Sequence, residues 1–157
     1  MNLDDLGNLG DFLSAIAVLV TLVYLAIQVR HSTATTRAQT RQSLADSQIN
    51  YLNSRVTDPF LRAASFKMYA GQELDATEAY ALQVHILAHI RLFENYFAQY
   101  VLGTMNQEDW RAMRAVMAIQ FRRTHYQDAF SYWKNIWNAE FASEVAQILS
   151  ESDAQTA

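Results

Sequence analysis

The chain has 157 residues, a net charge of −4 at pH 7 and 51% apolar residues. It contains no Cys, four Gly and one Pro, which excludes disulfide scaffolds, thiolate metal sites, cysteine nucleophiles and glycine-rich phosphate loops. Ten Arg and two Lys are outnumbered by 16 Asp and Glu, so no overall basic surface is available for nucleic acid.

The first element is an uncharged apolar stretch at residues 12–29, between Asp11 and Arg30. Eighteen helical residues span about 27 Å, close to the thickness of the bilayer hydrocarbon. Eleven of them are Leu, Ile, Val or Phe, which together favour insertion by about 3 to 6 kcal/mol. We therefore predict a transmembrane helix over 12–30. The alternative is a buried helix in the core of a soluble protein.

The charges on either side of this stretch predict its orientation. Residues 1–11 carry no Lys or Arg, whereas Arg30, Arg37 and Arg41 follow the stretch. A cleaved signal peptide needs a basic leading region and a small-residue cleavage site, and neither is present. Because basic residues remain in the cytoplasm, we expect residues 1–11 to be a short extracytoplasmic N-terminus and the chain after the anchor to be cytoplasmic.

Seven positions repeat at heptad spacing along the predicted membrane helix, with alternating steps of three and four, and the first five of them are small residues. The positions are Gly7, Gly10, Ser14, Ala17, Thr21, Tyr24 and Gln28. The same series continues beyond the membrane as His31, Thr35, Ala38, Gln42, Ala45, Ile49, Leu52 and Val56. Membrane helices associate where small residues allow close approach, and a 3.5-residue repeat favours a left-handed supercoil. We predict an oligomer seam on this face; the alternative is a chance arrangement of residues common in anchors.

The remainder of the chain predicts only helices and therefore an all-α fold. A juxtamembrane helix over 31–57 ends before Asp58-Pro59, a helical bundle covers 58–150, and 151–157 is a disordered tail. The predicted bundle helices are 60–70, 75–103, Asn106 to about Thr124, 126–137, and Asn138 to 148 or 149. Asp75 and Glu78 form a capping-box pattern. The 75–103 helix is apolar nearly all round, which is typical of the central helix of a bundle.

Two histidines on this long helix are candidate metal ligands. His85 and His89 are four residues apart, a spacing that can bind zinc. A site needs a third ligand, which only the fold could bring from His31, Glu94 or His125. The alternative places both histidines on a wetter face of the helix, bonded to neighbours or water.

Three polar residues of the same helix, Arg91, Glu94 and Asn95, lie within about one turn and interrupt its apolar pattern. Buried charges must be paired, and Arg91 can pair with Glu94 at i,i+3. We predict a buried polar network that fixes helix packing, with a polar pocket as the functional alternative.

An aromatic stripe runs along residues 126–141. Tyr126, Phe130, Trp133, Trp137 and Phe141 recur at steps of three and four. They are the core-facing side of the last helices or, alternatively, a surface for the membrane interface or a partner.

The leader at residues 6–43, LGNLGDFLSAIAVLVTLVYLAIQVRHSTATTRAQTRQS, resembles the start of a broad family of uncharacterised bacterial proteins. Further elements of that pattern are Phe93-Glu94-Asn95, Gln99-Tyr100, Gly103 and Trp110. The resemblance implies a short single-pass protein of the bacterial inner membrane, with an N-terminal anchor and a helical cytoplasmic part. It implies no activity.

These observations predict a non-enzymatic, membrane-anchored interaction protein without a cofactor. It is either a homo-oligomer or an accessory subunit of a larger membrane complex, and its contacts are membrane lipid and a protein partner rather than nucleic acid. The alternative is a ligand- or metal-binding sensor that uses the polar centre of the 75–103 helix. No residue grouping supports an enzyme: no Ser lies in a nucleophile elbow and no carboxylate pair stands out.

Overall fold

The computed structural model describes the backbone of residues 3–154 and the side chains of residues 12–151. These residues form α-helices and one short 3₁₀ helix, with no strand among them. The α-helices are α1 (Leu3–Thr57), α2 (Pro59–Tyr69), α3 (Ala76–Val101), α4 (Gln107–Phe121), α5 (Thr124–Tyr132) and α6 (Ala139–Ala154), and the 3₁₀ helix is Lys134–Ile136. The predicted all-α fold is confirmed.

The chain divides into two compact units, residues 1–39 and residues 40–157. In the described part of the first unit, the apolar side chains of α1 are exposed, including Phe12, Leu19 and Val29. Within the described residues, α1 is the one helix long and apolar enough to cross a membrane. Its most apolar window has a mean hydropathy of 2.4, and none of that window is buried.

Four helices of the second unit, α2, α3, α4 and α6, begin at side chains that accept from free backbone N–H groups. Asp58 accepts from the N–H groups of Phe60 and Leu61, immediately before α2. The capping box predicted for α3 is confirmed, because Asp75 and Glu78 accept from each other's backbone. Local sequence therefore defines where these helices start.

Two glycines define the ends of α2 and α3. Gly71 has φ of 66° and Gly103 has φ of 72°, a left-handed conformation that glycine adopts without steric cost. The predicted ends of both helices are therefore correct to within about two residues, which is the usual uncertainty of a helix boundary.

The central helix is α3, as predicted, and it contacts α2, α4, α5 and α6. Its fully buried residues include Ile90 and Phe93. Around them pack aromatic and aliphatic residues from the other helices, among them Leu44, Trp110, Met117, Phe121, Tyr126, Trp137, Phe141, Val145 and Ile148. The aromatic stripe belongs to this core: Tyr126, Trp137 and Phe141 are buried, and Phe130 and Trp133 pack against them.

The end of α6 corrects the predicted tail. The helix continues to Ala154, so residues 151–154 are helical rather than disordered, while 155–157 lie outside the described residues. Arg114 on α4 donates to Glu144 and Glu151, which attaches the last turns of α6 to α4. A contact from 37 residues away explains why local sequence did not predict this extension.

Candidate functional site

His85 and His89 lie on the face of α3 that is covered by the C-terminal end of α1. Both are buried, with 7% and 3% of their surface exposed. The ring of Tyr51 stacks on both imidazoles, with centroid distances of 4.3 Å to His85 and 4.0 Å to His89. The alternative of a wetter face is therefore wrong, because one aromatic ring from α1 covers both histidines.

The second partner of His89 comes from α5. The hydroxyl of Tyr126 and Nδ1 of His89 are joined by a hydrogen bond of 2.5 Å. The Nε2 atoms of His85 and His89 are buried and have no hydrogen-bond partner. Each histidine therefore has unused hydrogen-bonding capacity in a dry environment, which is uncommon for buried polar atoms.

A chain of arginine and tyrosine side chains leads outward from the histidines. Arg55 on α1 donates from Nη2 to the hydroxyl of Tyr51 and from Nη1 to that of Tyr69, both at 3.2 Å. Arg123 also donates to the hydroxyl of Tyr69, at 2.7 Å. We call Arg55, Tyr69 and Arg123 the arginine pair with its shared tyrosine. These bonds connect the end of α1 to the end of α2 and the start of α5.

The environment of this cluster keeps its histidines uncharged. Burial, reinforced by the positive charge of Arg55, lowers the pKa of His85 to about 4 and that of His89 to about 3. Burial likewise lowers the pKa of His125 and raises the pKa of Tyr126. The cluster therefore presents neutral imidazoles and phenols beside permanently charged guanidinium groups.

No metal centre is assembled around the histidine pair by the described residues. Within that part of the chain, no group of three or more His, Cys, Asp or Glu side chains could hold a metal ion. His125 contacts Tyr69 and Tyr126 instead of joining the two histidines of α3. The metal-binding alternative is left with two ligands, fewer than protein zinc sites use.

The predicted buried network at Arg91, Glu94 and Asn95 needs correction. Arg91 does pair with Glu94, but the Arg91 side chain is 44% exposed and Asn95 is also exposed. Only Glu94 is largely covered, at 15% exposure, and it accepts from the backbone N–H of Asn138 at 2.7 Å. The group lies at the edge of the bundle, where Glu94 connects α3 to the start of α6 and Arg91 lies over the ring of Trp137.

The seam positions of the first unit are exposed wherever their side chains are described. Ser14, Ala17, Thr21, Tyr24 and Gln28 are all exposed, while Gly7 and Gly10 lie outside the part of the chain whose surroundings are described. Thr21 donates to the carbonyl of Ala17, and Gln28 donates to the hydroxyl of Tyr24. Some of the polar side-chain atoms of this face are therefore satisfied within the helix itself.

In the second unit, α1 has two different faces. Leu44 and Tyr51 contact the bundle, and the hydroxyl of Tyr96 donates to the carbonyl of Leu44. On the neighbouring face, Ile49, Leu52 and Val56 are 53%, 52% and 63% exposed. These three residues, with exposed Ala45, continue the heptad series, and we call them the exposed α1 stripe.

Sequence reasoning found the histidine pair and placed Tyr126 in the aromatic stripe, but it missed Tyr51, Arg55 and Tyr69 and did not connect Tyr126 with the histidines. Tyr51, Arg55, Tyr69 and Tyr126 come from three other helices, and no spacing in the sequence connects them to His85. A conserved pattern among these positions would have been the signal that could identify them. Comparisons of the chain with protein-family models, with curated proteins and with solved structures each return no match.

Proposed function

We propose that this is a single-pass, non-enzymatic protein of the bacterial inner membrane that self-associates through α1. The N-terminus lies outside and the helical bundle lies in the cytoplasm. The observation that carries the proposal is the surface of α1: an apolar membrane-length segment without a covering partner, and an exposed apolar stripe beyond it. In the alternative proposal, the protein is an accessory subunit of a larger membrane complex, and another membrane protein occupies the same face of α1.

Membrane insertion accounts for the apolar segment at residues 12–29. A helix of a soluble core would bury such a segment, whereas none of this one is buried. Contiguous exposed apolar surface of this size is typical of a membrane or protein interface. The three arginines Arg30, Arg37 and Arg41 support a cytoplasmic location for the chain beyond the anchor.

A second copy of the chain is the partner that best suits the exposed α1 stripe. Ala45, Ile49, Leu52 and Val56 have heptad steps of four, three and four, in register with the small residues of the anchor. A 3.5-residue period favours supercoiling with another helix of the same period, and an identical parallel helix has that period by definition. The resemblance to bacterial single-pass proteins agrees with the topology but adds no partner.

The absence of cysteine makes disulfide cross-linking a clean test. Single Cys variants Ile49→Cys and Leu52→Cys are compared with the exposed off-stripe control Asn53→Cys, in native membranes treated with a mild oxidant. In a parallel pair, facing stripe positions approach within about 4.4 to 6.8 Å between Cα atoms, the range a disulfide can bridge. We expect dimers from the stripe variants and little from the control.

The membrane half of the seam is tested in the Leu52→Cys background. Ala17→Ile should reduce cross-linking because a branched side chain separates the helices, whereas Ile16→Leu, off the small-residue series, should leave it unchanged. Equal cross-linking at 52 and 53 would contradict a defined seam. No cross-link at any protein concentration would reject self-association and leave a different membrane protein as the partner.

A further inference from the structure

We propose that Arg55, Tyr69 and Arg123 form a binding site for a phosphate-type oxyanion. The site lies in the second unit and does not depend on the self-association proposed above. Its donors come from α1, from the last residue of α2 and from the residue that precedes α5.

The geometry brings two cations to one uncharged acceptor. Nη1 of Arg55 lies 3.2 Å and Nη1 of Arg123 lies 2.7 Å from the hydroxyl oxygen of Tyr69. A phenol oxygen accepts hydrogen bonds but does not neutralise two guanidinium groups. Like charges placed this close repel each other, and an oxyanion between them would turn that repulsion into two attractive contacts.

Three other arginines of the second unit are compensated by carboxylates. Arg41, Arg91 and Arg114 each form an ion pair with a carboxylate. Among the described residues, no Asp or Glu forms an ion pair with Arg55 or Arg123. The arginine pair is therefore a local excess of positive charge in a protein that is negative overall.

Unpaired nitrogen atoms are present on Arg55 itself and on His125, whose ring contacts that of Tyr69. Nε of Arg55 and Nε2 of His125 are buried without a hydrogen-bond partner. Arg123 is the N-cap of α5, its side chain makes no cap hydrogen bond, and the first turn of α5 has no acidic residue. Free N–H groups at a helix N-terminus, guanidinium forks and a hydroxyl are the donor types that bind phosphate in proteins.

The site is open to solvent, because Tyr69 is 53% exposed. Arg123 lies over the ring of Tyr69, with 5.3 Å from Cζ to the ring centroid. This stacking holds the guanidinium in place and leaves its remaining N–H groups to donate. If the two arginines served only to link the three helices, phosphate would not change the stability of the protein.

Phosphate-dependent stability of the full-length protein in neutral detergent tests the site. The melting temperature is followed by tryptophan fluorescence during titration with potassium phosphate, with potassium chloride or potassium acetate at matched ionic strength and pH. We expect a saturable increase with phosphate that neither control salt produces, because a ligand that binds only the folded state stabilises it. The ³¹P linewidth of phosphate, measured well below the melting temperature, reports binding directly.

Matched arginine variants locate the site. Arg123→Gln should weaken phosphate binding at least tenfold, while Arg111→Gln, an exposed arginine on α4, should not change it. Because the ³¹P measurement reads affinity in the folded state, a lower stability of Arg123→Gln does not obscure the result. Replacing free phosphate by phosphatidic acid in the same micelles distinguishes a lipid headgroup from a soluble phosphate. The site is supported if Arg123→Gln loses the response to phosphate or the response to phosphatidic acid.

Three outcomes would overturn the proposal. The first is that phosphate raises the melting temperature no more than chloride does and that phosphatidic acid also has no effect. The second is an acetate response equal to that of phosphate, which would reject the phosphate-type ligand. The third is a response that Arg111→Gln abolishes and Arg123→Gln retains, which would place the anion in the groove between α4 and α6 that is lined by Arg111, Arg114 and Ile148.

Discussion

Mild acid should destabilise the bundle through His85 and His89. An unfolded histidine takes up a proton below about pH 6.5, whereas burial lowers the pKa of His85 to about 4 and that of His89 to about 3. Between pH 6.5 and 4 the unfolded state therefore binds more protons than the folded state. Stability falls as the pH falls through this window, and above about pH 7.5 these two histidines contribute little pH dependence.

The expected size follows from the same pKa values. From pH 7 to pH 5.5, each histidine costs about 1 kcal/mol of unfolding free energy, and the pair costs about 2 kcal/mol. This window lies above the usual titration range of Asp and Glu, so that carboxylates contribute little to it. The three tryptophans belong to the second unit, and their fluorescence during urea unfolding in neutral detergent reports the bundle rather than the anchor.

Variants isolate the histidine contribution. His85→Phe retains a ring that can stack on Tyr51 and removes one titrating group, so it should reduce the loss between pH 7 and 5.5 by about 1 kcal/mol. His31→Phe, at an exposed position of α1, serves as the control and should leave the loss unchanged. Wild-type protein that is equally stable at both pH values, or a loss that His85→Phe does not reduce, would refute this assignment.

Three further changes probe packing and topology. Glu94→Ala should cost about 1.5 to 3 kcal/mol, because it removes a charge-assisted bond to the backbone of Asn138, while Arg91→Ala at the exposed end of the pair should cost about 1 kcal/mol or less in urea unfolding. Equal costs would show that the ion pair, rather than the backbone bond, stabilises this edge. Phe93→Ala, at a fully buried site, should cost about 3 to 5 kcal/mol by the same assay, and a cost below about 1 kcal/mol would contradict a rigid core there. A phosphatase fused after Ala157 should be inactive, because we place the bundle in the cytoplasm; periplasmic activity would reverse the topology.

Local signals in the sequence predicted most of the fold. Asp58 before Pro59, the Asp75–Glu78 capping box and the left-handed glycines act within a few residues of where they stand, so the sequence alone reveals them. The central position of α3 also follows from its own apolar pattern. Features that depend on one helix and its ends were therefore predictable.

The errors concern which side chains cover each face of α3. His85 and His89 are buried because Tyr51 and Tyr126 reach them from other helices, and the Tyr126 contact spans 37 residues. Arg91 sits in an equally apolar stretch, yet its side chain is exposed. Periodicity places a residue on a face, but only tertiary packing decides whether that face is covered, and a single sequence does not contain the pairing of helices.

The C-terminal end of α1 shows how one helix can present two interaction faces. Leu44, Gln48, Tyr51 and Arg55 follow heptad steps and face the bundle, and the exposed α1 stripe follows the same steps one residue later. A shift of one residue turns an α-helix by about 100°, so the two stripes lie side by side rather than on one face. Contact with the bundle therefore leaves the exposed α1 stripe accessible to a second copy. A hydrophobic pattern of this width can form two interfaces. Because the bundle buries only one of the two stripes, we expect a partner to bind the exposed α1 stripe.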